Sequence, residues 1–147
     1  MKSFLLKNNK PVCKWGSIPP NTFFNGCVPI GYNLAVAPSE SIIVLDVDVK
    51  SNKNGYDFIP SQILKELNNS FYYDTKSGGR HYFIDYTGAC VLLNTSTKYG
   101  LDLRVGAKKN NCGGYVKYNH HIDIRECLHL IKSTSIELNI FLEFLFT

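Results

Sequence analysis

Long hydrophobic runs are missing from this 147-residue chain. No stretch reaches the roughly 18–20 apolar residues of a membrane-spanning helix. The opening MKSFLLKNNKPVCKW offers only Phe4, Leu5 and Leu6 as an apolar patch, too short for a secretory signal. The chain is therefore expected to be soluble and cytoplasmic, with no membrane partner. Arginine is scarce: Arg80, Arg104 and Arg125 stand against thirteen lysines. Cysteine pairing signals are also absent, because five cysteines (13, 27, 90, 112 and 127) make an odd number without a CxxC pair. They read as reduced, mostly buried thiols. Cys112, His120, His121, Cys127 and His129 include zinc-ligand types, but adjacent histidines and loose gaps do not match the compact spacings of structural zinc. No structural zinc is expected. Repeats, low-complexity tracts and long linkers are lacking as well.

What is present is a globular composition, with 44% apolar, 13% aromatic and 19% charged residues. A disordered chain would carry less apolar and more charged content. The length suits one domain over 1–147, and the net charge of +4 permits a polyanionic partner without requiring one. Residues 1–32 read as irregular, with Trp15 as their anchor. Asn33–Ala37 and Ser41–Val49 read as strands about a Pro38–Ser39 turn. Asp57–Asn68 reads as a helix with Pro60 in its first turn and Ile63, Leu64 and Leu67 as its apolar stripe. Phe71–Thr75 and Arg80–Asp85 read as strands joined by a hairpin-like Lys76–Gly79 connection. After a polar excursion over 86–99, Tyr99–Val105 and Gly114–Tyr118 complete the strands. Ile122–Lys132 and Ser135–Phe146 read as helices, so 119–147 is expected to be helical. Short loops between several strands indicate an α+β domain on a largely antiparallel sheet with flanking helices.

The chemistry gathers on two strands and one turn. In Ser41–Val49, side chains alternate between faces, so Ile43, Leu45, Val47 and Val49 form one apolar face. The opposite face begins with Ile42 and Val44 and then changes to Asp46 and Asp48. Aspartate is depleted in strands, and two carboxylates about 7 Å apart on one face repel unless a cation lies between them. A divalent cation answers this pattern, and so does a sheet face turned to water. Gly100–Val105 repeats it, with Leu101, Leu103 and Val105 on one side and Asp102 and Arg104 on the other. If the two strands are neighbours, three carboxylates converge in a set that suits hard Mg²⁺ or Mn²⁺. Thr75–Phe83 (TKSGGRHYF) adds Gly78 and Gly79, whose backbone N–H groups can converge on an anion. Ser77, Arg80 and His81 stand beside them. A plain hairpin turn with a core histidine is the other reading of that segment.

At these residues the sequence resembles the archaeo-eukaryotic primase superfamily, in particular its primase–polymerase domains. VLDVD (Asp46, Asp48) matches a strand ending in an acidic pair. TKSGGRHYF (His81) matches a small-residue turn leading into a histidine and an aromatic strand. GLDLR (Asp102) matches a single acid on a later strand, and Gly113–Val116 follows as a Gly-Gly-Tyr-Val strand. The ordered set spans about residues 30–118. The resemblance implies an RRM-like catalytic core, with Asp46, Asp48 and Asp102 holding two Mg²⁺ or Mn²⁺ ions. It implies that His81 contacts the triphosphate of the incoming nucleotide, with Ser77, Gly78, Gly79, Arg80 and Arg104 as further nucleotide-binding candidates. The implied activity is template-directed nucleotidyl transfer in replication, of a virus or mobile element among other settings. DNA template and primer, nucleoside triphosphates, and a helicase or accessory primase domain would be its partners. Lys108, Lys109 and Lys117 are candidate nucleic-acid contacts. The family's hydroxyl residue two positions before the histidine is here Gly79. A zinc-binding stem is not expected between the second and third motifs, where Cys90 is the sole cysteine. Lys117–His120 replaces the usual proline-rich turn.

Two rival functions use the same fold class. A replication-initiator nuclease on an RRM-like sheet needs a His-hydrophobic-His pair, whereas His120 and His121 are adjacent. A non-catalytic single-stranded nucleic-acid-binding module would hold phosphates with lysines and stack bases on strand tyrosines. Such a binder gains nothing from three carboxylates facing a polyanion.

Overall fold

Two asparagines set the first element of the chain. Asn8 and Asn9 adopt positive φ of 52° and 63°, as a type I′ hairpin turn requires, and join Lys2–Lys7 (β1) to Lys10–Pro11 (β2). The computed structural model describes residues 1–39, 41–106 and 113–147. β1 pairs along its whole length with Tyr32–Ala37 (β3). The expectation of an irregular 1–32 is thus corrected: a patch too short for a signal peptide is long enough for a strand. Phe4 and Leu6 alternate onto one buried face of it.

Ile42–Val47 (β4) follows, then a ribbon of Val49–Lys50 (β5) and Lys53–Asn54 (β6). The helix expected over 57–68 is shorter. Asn54 accepts the Tyr56 N–H at 3.1 Å and closes a 3₁₀ turn over Gly55–Phe58. Pro60 then caps Ser61–Leu67 (α1). Phe71–Asp74 (β7), Arg80–Asp85 (β8), Thr95–Ser96 (β9), Leu101–Arg104 (β10) and Val116–Lys117 (β11) come next. The helix expected over 122–132 reduces to one turn, Ile124–Cys127 (α2), a 3₁₀ turn and a short strand, Lys132–Ser133 (β12). Tertiary hydrogen bonding wins there over helix propensity. Ser70 Oγ accepts the Lys132 N–H at 2.9 Å, and β12 lies parallel to the end of β8. Ser135 caps Ile136–Phe146 (α3), as its sequence predicts.

The strands form two sheets and the small ribbon rather than one sheet. The larger runs β9-β10-β4-β8, with β7 and β12 sharing the far edge of β8. The smaller runs β11-β3-β1-β2. Among the described residues every pairing is antiparallel except β12 with β8. Ile43, Leu45 and Val47 of β4 pack with Ile63 and Leu67 of α1 and Leu138, Leu142 and Phe146 of α3. On the other face, Val44, Phe71 and Phe83 pack with Val36 and Val116 of the smaller sheet. The architecture is α+β in three layers: helices, large sheet, small sheet. Trp15 lies outside the small sheet, stacked on Phe4 at 5.5 Å and edge-on to Tyr115 at 5.4 Å. Of the described cysteines, Cys13, Cys27 and Cys90 are exposed and only Cys127 is buried, which corrects the expectation of mostly buried thiols. Among the described residues no helix is long and apolar enough to cross a membrane.

Candidate metal centre

The apolar filling between the sheets stops where β4 passes from Val44 to Asp46. Register then carries one polar row across the large sheet. Tyr73 pairs with His81, His81 with Asp46, Asp46 with Asp102, and Asp102 with Ser96. Residues that pair directly share a face, so side chains from five strands meet there. Asp48 joins them from just beyond β4. Its N–H donates to the Gly100 carbonyl at 2.8 Å, and its own carbonyl accepts the Gly55 N–H at 2.9 Å. Gly100 makes its bend with φ +83°, a conformation open to glycine.

One carboxylate oxygen each from Asp46, Asp48 and Asp102 lie within 4.8 Å of one another. Their side chains are 19%, 26% and 15% exposed, so the cluster is screened by protein yet open to a ligand. Among the described residues cations reach it from the rim: Lys50 Nζ is 3.7 Å from Asp48 and Arg104 is 3.7 Å from Asp102, while the His81 imidazole brings Nε2 to 3.3 Å from Asp46. The balance is incomplete. Burial raises the Asp48 pKa first, and the charges of Asp46 and Asp102 raise it further against the opposing Lys50 and His81. Three hard oxygen donors with unrelieved negative charge are what a hard divalent cation needs. Thr97 N–H donates to one oxygen of Asp102 at 3.1 Å and fixes that carboxylate.

His81 is oriented from behind. Its Nδ1 lies 2.6 Å from the Tyr73 hydroxyl, which also reaches the Lys117 carbonyl at 2.9 Å. Burial, with the Tyr118 and Asp46 charges adding to it, pushes the Tyr73 pKa well up and keeps the phenol protonated. A phenol has one proton to give. Donating it to Lys117, Tyr73 accepts from Nδ1–H and leaves Nε2 turned to the carboxylates. Tyr73→Phe should strand a buried donor and acceptor, lowering stability by roughly 1–3 kcal/mol in urea unfolding.

The other sequence candidates fall in different places. Ser77 and Gly78 are exposed in the β7–β8 turn, which is closed by Gly78 N–H to Thr75 carbonyl and Thr75 N–H to Gly79 carbonyl. Gly79 is buried, and a Cβ there would meet the Val47 carbonyl at 2.1 Å. Its smallness serves strand packing. Arg80 faces away from His81, stacked on Tyr72 at 4.2 Å and bonded to Asp74 and Asn68. Arg104 faces the carboxylates. Lys117 contributes its carbonyl to Tyr73, while its position opposite Ala35 sets it on the outer face of the small sheet. Lys108 and Lys109 lie outside the described residues.

Sequence reasoning missed Tyr73, Thr97 and the Gly55–Gly100 clamp. It also missed an open cavity of about 440 Å³ lined by Trp15, Asn94, Ser96, Arg104 and Tyr115 among others, two of which adjoin Asp102: Ser96 as its strand partner and Arg104 as its ion-pair partner. The alternation of FYYD carried a partial signal, because either Tyr72 or Tyr73 had to share the face of the histidine. Comparison with known proteins finds no family model that matches the chain and no matching curated protein.

Proposed function

We propose that this chain is a metal-dependent nucleotidyltransferase of the primase–polymerase type, built on an RRM-like core. One observation carries the reading: the acidic pair of one resembled motif, Asp46 and Asp48, and the single acid of another, Asp102, offer carboxylate oxygens within 4.8 Å of one another with His81 beside them. Asp46, Asp48 and Asp102 would hold the metal. Mg²⁺ or Mn²⁺ bound there would supply an activated primer 3′-hydroxyl and charge relief on the leaving pyrophosphate. His81 Nε2, held outward by Tyr73, is placed to donate to a triphosphate oxygen when protonated. Arg104 offers a guanidinium fork on the same face. The cavity that shares Arg104 and Ser96 with the Asp102 side of the cluster would take a nucleotide's base or sugar, with Trp15 and Tyr115 as apolar walls. DNA template, primer and nucleoside triphosphates are the partners this reading names, with a helicase or accessory domain as a further one.

Melting temperature tests the metal claim without any turnover. A carboxylate with a raised folded-state pKa binds its proton more tightly in the folded state, so stability falls as pH rises. For Asp48 the loss begins near its ordinary 3.8 and continues through the raised value. In metal-free buffer Asp48→Asn should therefore melt above wild type at neutral pH, and the gap should close toward pH 4. Mn²⁺ should reverse the order by stabilising only the intact triad. Wild type indifferent to Mn²⁺ and Mg²⁺, with and without a nucleoside triphosphate, would contradict the proposal.

A further inference from the structure

Phe58 and Tyr99 belong to none of the three apolar cores. Both are exposed, at 48% and 37%, and they pack against each other with ring centroids 4.6 Å apart. A single exposed aromatic needs no explanation. This pair has company of one kind. Lys98 Nζ sits 5.4 Å from the Tyr99 ring centre. Lys50 and Lys53 stand directly opposite each other on the β5–β6 ribbon, a like-charged cross-strand pair that costs stability and that an anion between them would relieve. Asp57 is the acid in the same turn as Phe58, and Asp48 lies 3.7 Å from Lys50, which leaves three lysines against two carboxylates.

The patch is fixed to the metal centre by the clamp already described. The turn carrying Phe58 begins at Gly55, whose N–H bonds the Asp48 carbonyl, and Tyr99 precedes Gly100, whose carbonyl accepts the Asp48 N–H. We propose that Phe58 and Tyr99, with Lys50, Lys53 and Lys98, form a stacking platform for single-stranded nucleic acid at the Asp48 edge of the acidic cluster. Flat aromatic faces take bases of any sequence while flanking ammonium groups take phosphates. A base on Tyr99 displaces the Lys98 ammonium, which then reaches the adjoining phosphate. The choice of a nucleic-acid strand rests on the nucleotidyl-transfer reading, and it adds the surface along which template or primer runs.

The test is binding of labelled oligothymidylate and oligouridylate to the full chain by fluorescence anisotropy, in metal-free buffer at about 50 mM salt. The two oligonucleotides separate a DNA from an RNA strand, and the losses are expected in whichever binds. Phe58→Ala and Tyr99→Ala should each weaken binding by about fivefold or more. Both sites are exposed, so melting temperatures should not move. A variant with Lys50, Lys53 and Lys98 all changed to Gln should flatten the salt dependence by about two in logarithmic slope. Asp102→Asn, tested in parallel, should keep strand binding. A wild-type chain that binds the strand but transfers no nucleotide would leave the platform standing and remove only the nucleotidyl-transfer reading. Wild-type affinity and salt slope in the Phe58→Ala/Tyr99→Ala double variant would overturn the platform, whatever the chain does to primers. So would failure of the wild type to bind either oligonucleotide.

Discussion

Asp46→Asn or Asp102→Asn should lower metal-dependent nucleotide transfer by about a thousandfold or more, equivalent to roughly 4 kcal/mol of transition-state stabilisation. The argument is electrostatic. Asparagine keeps the shape of aspartate but brings one weak acceptor in place of a charged oxygen pair, and hard divalent cations discriminate against that exchange. Asp46 and Asp102 sit opposite each other on β4 and β10, so neither can be replaced by a small shift of the other. The fold should survive, because the cluster carries unrelieved repulsion when metal is absent and each substitution reduces it. Circular dichroism and melting temperature report the fold, and nucleotide incorporation reports the chemistry. Turnover within a few-fold of wild type in either variant would remove these carboxylates from the reaction.

Gly55→Ala should be strongly damaging for a single added methyl, costing roughly 2–4 kcal/mol in denaturant unfolding. A Cβ at this position would lie 2.3 Å from the Gly100 carbonyl oxygen and 3.0 Å from Val47 Cγ1. A long side chain could swing aside, but the Gly100 carbonyl is held by the Asp48 N–H at 2.8 Å. Relief must therefore come from moving the 3₁₀ turn, which breaks the Gly55 N–H bond to Asp48 and shifts the carboxylate. Mn²⁺ should then protect the variant less than wild type against heat. Gly16→Ala is the control: a Cβ there meets nothing within 4 Å, and its stability should stay within about 0.5 kcal/mol of wild type. Equal behaviour of the two variants would show that the clamp has no role.

The layers of the fold were legible where period-two alternation met a change of residue type. Ile42, Val44, Asp46 in one register and Leu101, Asp102, Leu103 in another were enough to mark which side carries polar chemistry. They could not say that Asp46 and Asp102 are direct partners, since register between strands more than fifty positions apart depends on long-range pairing. The same alternation separates Arg80 from His81, because adjacent strand residues face opposite ways. β1 was overlooked because Asn-Asn at 8–9 is a weaker turn signal than Asn-Gly, though both asparagines tolerate positive φ. The short α2 shows the opposite limit. Residues 122–132 carry helical spacing, but Lys132 gains more from Ser70 and the β8 edge than from another helical turn. Tyr73 was hidden for a third reason, since its role depends on the β11 carbonyl of Lys117, 44 positions away.

Primer extension tests the central claim most directly. The full chain would be incubated with a labelled primer on a single-stranded template, with ribo- or deoxynucleoside triphosphates, in Mg²⁺, Mn²⁺ or chelator. Elongation that requires a divalent cation and vanishes in Asp102→Asn is the expected result. A wild-type protein that binds Mn²⁺ and nucleotide yet adds no nucleotide to any primer, with either sugar and either metal, would contradict it.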